Sequence, residues 1–236
     1  MNELIVFLDG PVPATALEAV YSPGLVFLSY VVASIAAFTA LDFAGRMVET
    51  RGSSTSFAHT SGWLLGGAMA MGAGIWCMHF VAMLAFRLPI PVQYDLPTTL
   101  LSMLFAMVIS GFAMFVVSRP SLSIPRLLIG GVIMGLGICT MHYTGMIAMR
   151  LDAQVFYRPG WFALSIANAI VCSTIALWLV AYLGGGAHSS STARGRTLYN
   201  ILAAAMMGIA ICGMHYTAMY ATVCVSSGGA VAYMAV

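Results

Sequence analysis

Apolar residues run along this chain in six long blocks separated by short polar connections. The blocks fall near 24–47, 61–85, 97–118, 127–149, 161–183 and 199–221, and each reaches the roughly 20 residues that a helix needs to cross a hydrocarbon core of about 30 Å. The connections hold the charges and helix breakers: Glu49 and Arg51; Arg87, Pro89, Pro91, Asp95 and Pro97; Arg119, Pro120, Pro125 and Arg126; Arg150, Asp152, Arg158 and Pro159; then a polar, Gly-rich run from Gly184 to Arg196. The pattern predicts an all-α fold, a polytopic transmembrane bundle of three repeated helical hairpins. Residues 1–20 precede the spans, 21–221 contain them, and 222–236 form an apolar tail. At fifteen residues the tail is too short to complete a span; it is either re-entrant or the start of a seventh helix cut short.

Composition agrees with a membrane protein: 61% of the 236 residues are hydrophobic and 7% are charged. The first twenty residues lack the basic flank and cleavage site of a removable signal peptide, so the first span is expected to direct insertion itself. The nine basic residues are all Arg, against seven acids. They form no basic stripe able to neutralise phosphates, which excludes nucleic acid as a partner. Six Arg belong to the first, third and fifth connections and three to the second and fourth. Because cytoplasmic loops carry the excess of positive charge, the N-terminus is expected outside. The five Cys stand singly, with no CxxC pair, and indicate no disulfide framework. Nucleotide-binding Gly-rich loops, nucleophile triads and acid pairs are absent from the sequence, so the chain is expected not to be an enzyme.

Three stretches inside the apolar blocks share one pattern, Met-His-aromatic-x-small-Met: Met78-His79-Phe80-Val81-Ala82-Met83, Met141-His142-Tyr143-Thr144-Gly145-Met146 and Met214-His215-Tyr216-Thr217-Ala218-Met219. They lie on the second, fourth and sixth predicted spans, 63 and 73 residues apart, which points to an internal repeat. Counting about 1.5 Å per residue, each His lies roughly 24–27 Å from the cytoplasmic start of its helix. The three imidazoles therefore share one depth, just below the outer interface. An ionisable residue inside a membrane is by default functional; a single His could merely bond to a carbonyl or a Tyr and glue helices together, but three at one depth argue for a site.

On a helix, residues three, four and seven apart share a face. The face of His142 carries Gly135, Cys139 and Met146; that of His215 carries Gly208, Cys212 and Met219; that of His79 carries Gly72, Trp76 and Met83. The small-residue pairs Gly131/Gly135 and Ala204/Gly208 allow helix backbones to approach closely. Imidazole with thioether is a soft to borderline donor set that suits copper, while the lack of nearby carboxylates argues against magnesium, calcium, manganese and carboxylate-bound di-iron. The metal-ligand candidates are His79, His142 and His215 with Met83, Met146 and Met219. Met78, Met141 and Met214 are turned about 100° from the His and rank below these. Cys139 and Cys212 read as small buried hydrophobes, since Trp76 replaces them in the first repeat. Tyr143 and Tyr216 are belt residues or partners of the ligands, a role that Phe80 cannot share. Asp42, with Arg46 four residues on, reads as a helix ion pair, with signal relay as the minor alternative. His59 and His188 sit in polar connections.

Met141-His142-Tyr143-Thr144 and Met214-His215-Tyr216-Thr217 reproduce the signature of the bacterial MHYT sensory domain, and Met78-His79-Phe80-Val81 resembles its degenerate first copy. Leu25-Val26-x-Leu28-Ser29 and Ala40-Leu41-Asp42 are also similar to that family. The resemblance covers residues 20–221 or so. It implies a multi-pass input module of the bacterial cytoplasmic membrane that senses a diatomic gas such as oxygen, carbon monoxide or nitric oxide through copper held by the motif residues. Members of the family commonly continue into a seventh helix and a cytoplasmic output domain; for this chain such an output is expected in cis or in trans, and a homo-oligomer is compatible with that role. Three other readings remain: haem held by two of the His, copper transport or storage suggested by the 18 Met, and a zinc hydrolase, weakened by the lack of an acid for general-base work.

Overall fold

The computed structural model describes residues 5–8, 10–50, 57–117, 123–184 and 193–226. Six helices dominate it: α1 (Pro23–Thr50), α2 (Phe57–Ala85), α3 (Leu96–Val117), α4 (Ile124–Ile147), α5 (Pro159–Gly184) and α6 (Ala193–Ala221). All six contain stretches long and apolar enough to cross a membrane. Proline at or beside the first helical residue marks the start of α1, α3, α4 and α5, where its missing N–H costs nothing. Each helix packs on its neighbours in sequence and α1 closes on α6, so the six form a ring. Their outward faces present Leu, Ile, Val and Phe, as lipid requires.

Glycine sets the closest approaches. A methyl group on Gly72 would meet the Met107 backbone of α3 at 2.5 Å, and one on Gly135 would meet the Ile170 backbone of α5 at 2.6 Å. One on Gly208 would strike Ser34 of α1. Gly131 likewise faces Thr174. The glycine seven residues before each His thus seats α2 on α3, α4 on α5 and α6 on α1, rather than lining the space between the His helices.

At the end of the bundle beyond the His, seven short strands form a cover: β1 (Val6–Phe7), β2 (Val20–Tyr21), β3 (Phe86–Arg87), β4 (Gln93–Tyr94), β5 (Met149–Arg150), β6 (Ala153–Tyr157) and β7 (Thr222–Ser226). The strand entering each odd helix pairs antiparallel with the strand leaving the even helix after it: β2 with β3, β4 with β5, β6 with β7. Strand β1 adds to β6 in parallel. The same register recurs in three backbone bonds, Ser22 N–H to the Ala85 carbonyl at 3.0 Å, Asp95 N–H to Ala148 at 2.8 Å and Arg158 N–H to Ala221 at 2.8 Å. The C-terminal ends of the three His helices are therefore tied to the cover in equivalent ways.

The strands were not expected from an all-α reading, and the start of the tail differs from a seventh helix. Thr222–Ser226 is extended and pairs along the whole of β6; its β-branched Thr222, Val223 and Val225 suit a pleated ladder. Residues 227–236 lie outside the described residues, as do His188 and the first, third and fifth connections in large part. His59 falls within α2 rather than in a connection.

Candidate metal centre

Helices α2, α4 and α6 bring His79, His142 and His215 together, all three wholly buried. The ring centroids form a nearly equilateral triangle with sides of 4.9, 5.0 and 5.0 Å, and the rings stand edge to face at 83°, 77° and 84°. The Nδ1 atoms point at one another: His79 to His215 is 3.1 Å and His142 to His79 is 3.2 Å. One potential ligand atom from each His lies within 4.8 Å of the other two. Nitrogens bound to one ion in tetrahedral order at about 2 Å lie roughly 3.3 Å apart, so the triad fits a single metal ion. Each Nε2 is buried without a hydrogen-bond partner among the described residues, a costly state in a membrane interior.

The remaining motif positions divide the labour. Met83, Met146 and Met219, four residues after the His, meet in one buried cluster with Phe86, Met149 and Cys224 of the cover. A layer of thioethers thus caps the imidazole layer. Met78, Met141 and Met214 do not meet. Met78 packs with Ala33 of α1, Met141 with Ala106 of α3 and Met214 with Ala169 of α5, so each fills the seam between its helix and the odd helix before it. The small residue three after the His makes room for a ring: a methyl group on Gly145 would overlap Nε2 of His79. Ala82 and Ala218 at the matching places are wholly buried.

Tyr143 reaches sideways to Ser165 of α5, and Tyr216 to Ser29 of α1. Phe80 has no hydroxyl, but Trp76 of the same helix supplies an N–H to Ser102 of α3. Cys139 and Cys212 are buried free thiols in the flanking clusters with Ala169 and Ala33. Asp42 and Arg46 lie far from the triad as a half-exposed ion pair at 2.7 Å, with Arg46 over the ring of Trp63.

Sequence reading missed Ser29, Ser102 and Ser165 as part of the site. A signal was present: the pairs Leu28-Ser29, Leu101-Ser102 and Leu164-Ser165 recur at intervals of 73 and 63 residues, the intervals between the His taken in the opposite order. Cys224 and the other residues of the cover had no comparable signal.

Comparison with known proteins fits this geometry. The description "Bacterial signalling protein N terminal repeat", MHYT, matches residues 72–130 and 135–193; each match begins at the packing glycine, partway along an even helix, and runs through the odd helix after it. MucR of Pseudomonas aeruginosa, a bifunctional diguanylate cyclase/cyclic di-GMP phosphodiesterase, is 47% identical over 85% of this chain and 28% of its own length. NbdA of the same organism, a cyclic di-GMP phosphodiesterase, is 43% identical over 91% of the chain and 26% of its own. The signaling protein YkoW of Bacillus subtilis is 34% identical over 87% and 24%. The chain spans about a quarter of the length of these relatives, and no solved structure matches it. Three motif copies on alternate membrane-spanning helices, a single triad of imidazoles and these matches together place the chain in the MHYT family of bacterial membrane signalling proteins.

Proposed function

We propose that the chain is a metal-dependent sensory module in which His79, His142 and His215 hold one copper ion through Nδ1. The observation that carries this reading is the convergence of three neutral-type donors from three helices in a site that excludes water. Met83, Met146 and Met219 supply further soft donors on the covered side, and imidazole with thioether favours copper over zinc. Met78, Met141 and Met214 contribute packing instead. Copper in such a site would bind a diatomic gas such as oxygen, carbon monoxide or nitric oxide, or change oxidation state. The chain's own residues do the rest: the triad fixes the ion, the thioether layer and cover exclude water, and the helices carry the change across the cytoplasmic membrane. By likeness to MucR and NbdA, the output is cyclic di-GMP synthesis or breakdown, in a region beyond this chain or in a partner.

Haem is the second reading, and the geometry weighs against it. Two axial nitrogens across an iron lie roughly 4 Å apart if each bond is about 2 Å, whereas the Nδ1 atoms here are 3.1 and 3.2 Å apart with no slot for a porphyrin between the rings. Transport is weakened by the single depth of the triad. Elemental analysis and pyridine-haemochrome assay of protein purified without added metal test these readings. One copper per chain is expected, falling several-fold in the His142→Ala/His215→Ala double variant and unchanged in His188→Ala. A stoichiometric Soret band, or full copper content in the double variant, would sink the copper reading.

A further inference from the structure

Three serines of the odd helices sit wholly buried beside the triad, and each completes the same hydrogen-bonded chain. Ser29 donates to the Val26 carbonyl at 2.7 Å, Ser102 to Thr99 at 2.7 Å and Ser165 to Phe162 at 2.7 Å. A hydroxyl has one proton, so each serine oxygen is left as an acceptor toward the His helix. Tyr216 therefore donates to Ser29 at 3.0 Å and Tyr143 to Ser165 at 2.7 Å, while Trp76 Nε1, which can only donate, reaches Ser102 at 3.2 Å. All three bonds run in one direction, from the His helix to the next odd helix: α2 to α3, α4 to α5, α6 to α1. The Tyr hydroxyls of two repeats and the indole of the third are different chemical groups that arrive at the equivalent serine, the indole N–H being shared with the Thr99 carbonyl at 3.2 Å.

These contacts share their helix pairs with the packing glycines. Gly72, Gly135 and Gly208 touch Met107, Ile170 and Ser34, each five residues beyond the serine on the same odd helix. Every His helix is thus pinned to one odd helix at two levels. Tyr143 and Tyr216 adjoin their His in sequence, and Trp76 lies three residues before His79. A rotation of the helix that reorients the imidazole must move the donor relative to the serine. No water is available in the hydrocarbon region to replace a stretched bond, and linked bonds strengthen one another.

We propose that Tyr216–Ser29, Trp76–Ser102 and Tyr143–Ser165 are positioning contacts through which occupancy of the His triad is passed to α1, α3 and α5. This rests on the metal reading above and adds the route by which the odd helices respond. Tyrosine donors can be removed gently here, because Ser29 and Ser165 keep their own carbonyl partners when Tyr becomes Phe.

The test is ultraviolet resonance Raman spectroscopy of the full chain in lipid nanodiscs, titrated anaerobically with Cu(I), following the tyrosine and indole N–H hydrogen-bond marker bands. Wild-type protein is expected to shift both sets of bands as one equivalent binds. Tyr143→Phe/Tyr216→Phe is expected to keep its copper stoichiometry and lose the tyrosine shift while the indole shift remains. Should the double variant fail to fold, each single variant is expected to lose about half of the tyrosine shift. An undiminished tyrosine shift in these variants overturns the proposal, as does copper binding to wild type with no shift. Loss of copper from a folded double variant also overturns it, since the tyrosines would then belong to the binding itself. Failure of the metal reading is separately visible as wild-type protein that takes up no copper, and the proposal falls with it.

Discussion

Within each motif every side chain has a different neighbour, which makes single substitutions informative. Gly145 is the sharpest case, because an added methyl has nowhere to go but onto His79. Gly145→Ala is expected to weaken metal binding at least tenfold, and to cost about 1–3 kcal/mol by overpacking, read by metal titration and thermal unfolding in detergent; Ala82→Gly should bind as before. Asp95 offers a test outside the membrane. Its carboxylate accepts from the Thr98 hydroxyl at 2.6 Å, from the Thr98 amide at 3.1 Å and from Arg150 at 3.2 Å, and these bonds hold it below the usual carboxylate range. The stability it adds is complete above the ordinary carboxylate value of about 3.9 and is lost as pH falls through the lowered folded value. Wild-type protein should therefore lose thermal stability on acidification through that window, and Asp95→Asn should lose less.

Helix pairing rests in part on Gly72, Gly135 and Gly208, which lie in equivalent places close against a neighbouring backbone. Gly135→Leu would force α4 away from Ile170, and lower yield and thermal midpoint are expected, with the metal content of the surviving protein reduced. The six spans were legible because an apolar run of membrane length has few other solutions. The triad was legible because a buried imidazole is rare enough for three to stand out. Gly72, Gly135 and Gly208 were legible as places where helix backbones approach closely, but not which helix they meet: helical periodicity gives a stripe about 100° wide, and both the axis and the next helix fall within it. The cover escaped because two-residue strands such as Val20–Tyr21 and Phe86–Arg87 are too short to display alternation. Serines on α1, α3 and α5 were invisible singly, since Ser is common in membrane helices and gains meaning only when the repeats are laid over one another.

Across the whole molecule, two kinds of contact interlock. The strand pairs join α1 to α2, α3 to α4 and α5 to α6 at the covered end, whereas Gly72, Gly135 and Gly208 with the three serines join α2 to α3, α4 to α5 and α6 to α1 within the bundle. Cys224 shows how well the cover seals: burial pushes its thiol up to about 11, so a water-soluble maleimide at neutral pH should leave it unmodified until the protein is denatured, as mass spectrometry of Cys224 would report. Closure of the ring between α6 and α1 also has a bearing on biosynthesis. Of the six spans the ribosome delivers α1 before the others and α6 after them, so the partner of α1 across the Ser29 seam does not exist until the other five spans have been made. Until then two imidazoles face a gap and α1 has one free flank. The triad is thus complete only once the sixth span has entered, and a chain released after α5 would be threaded through the membrane yet lack its third imidazole.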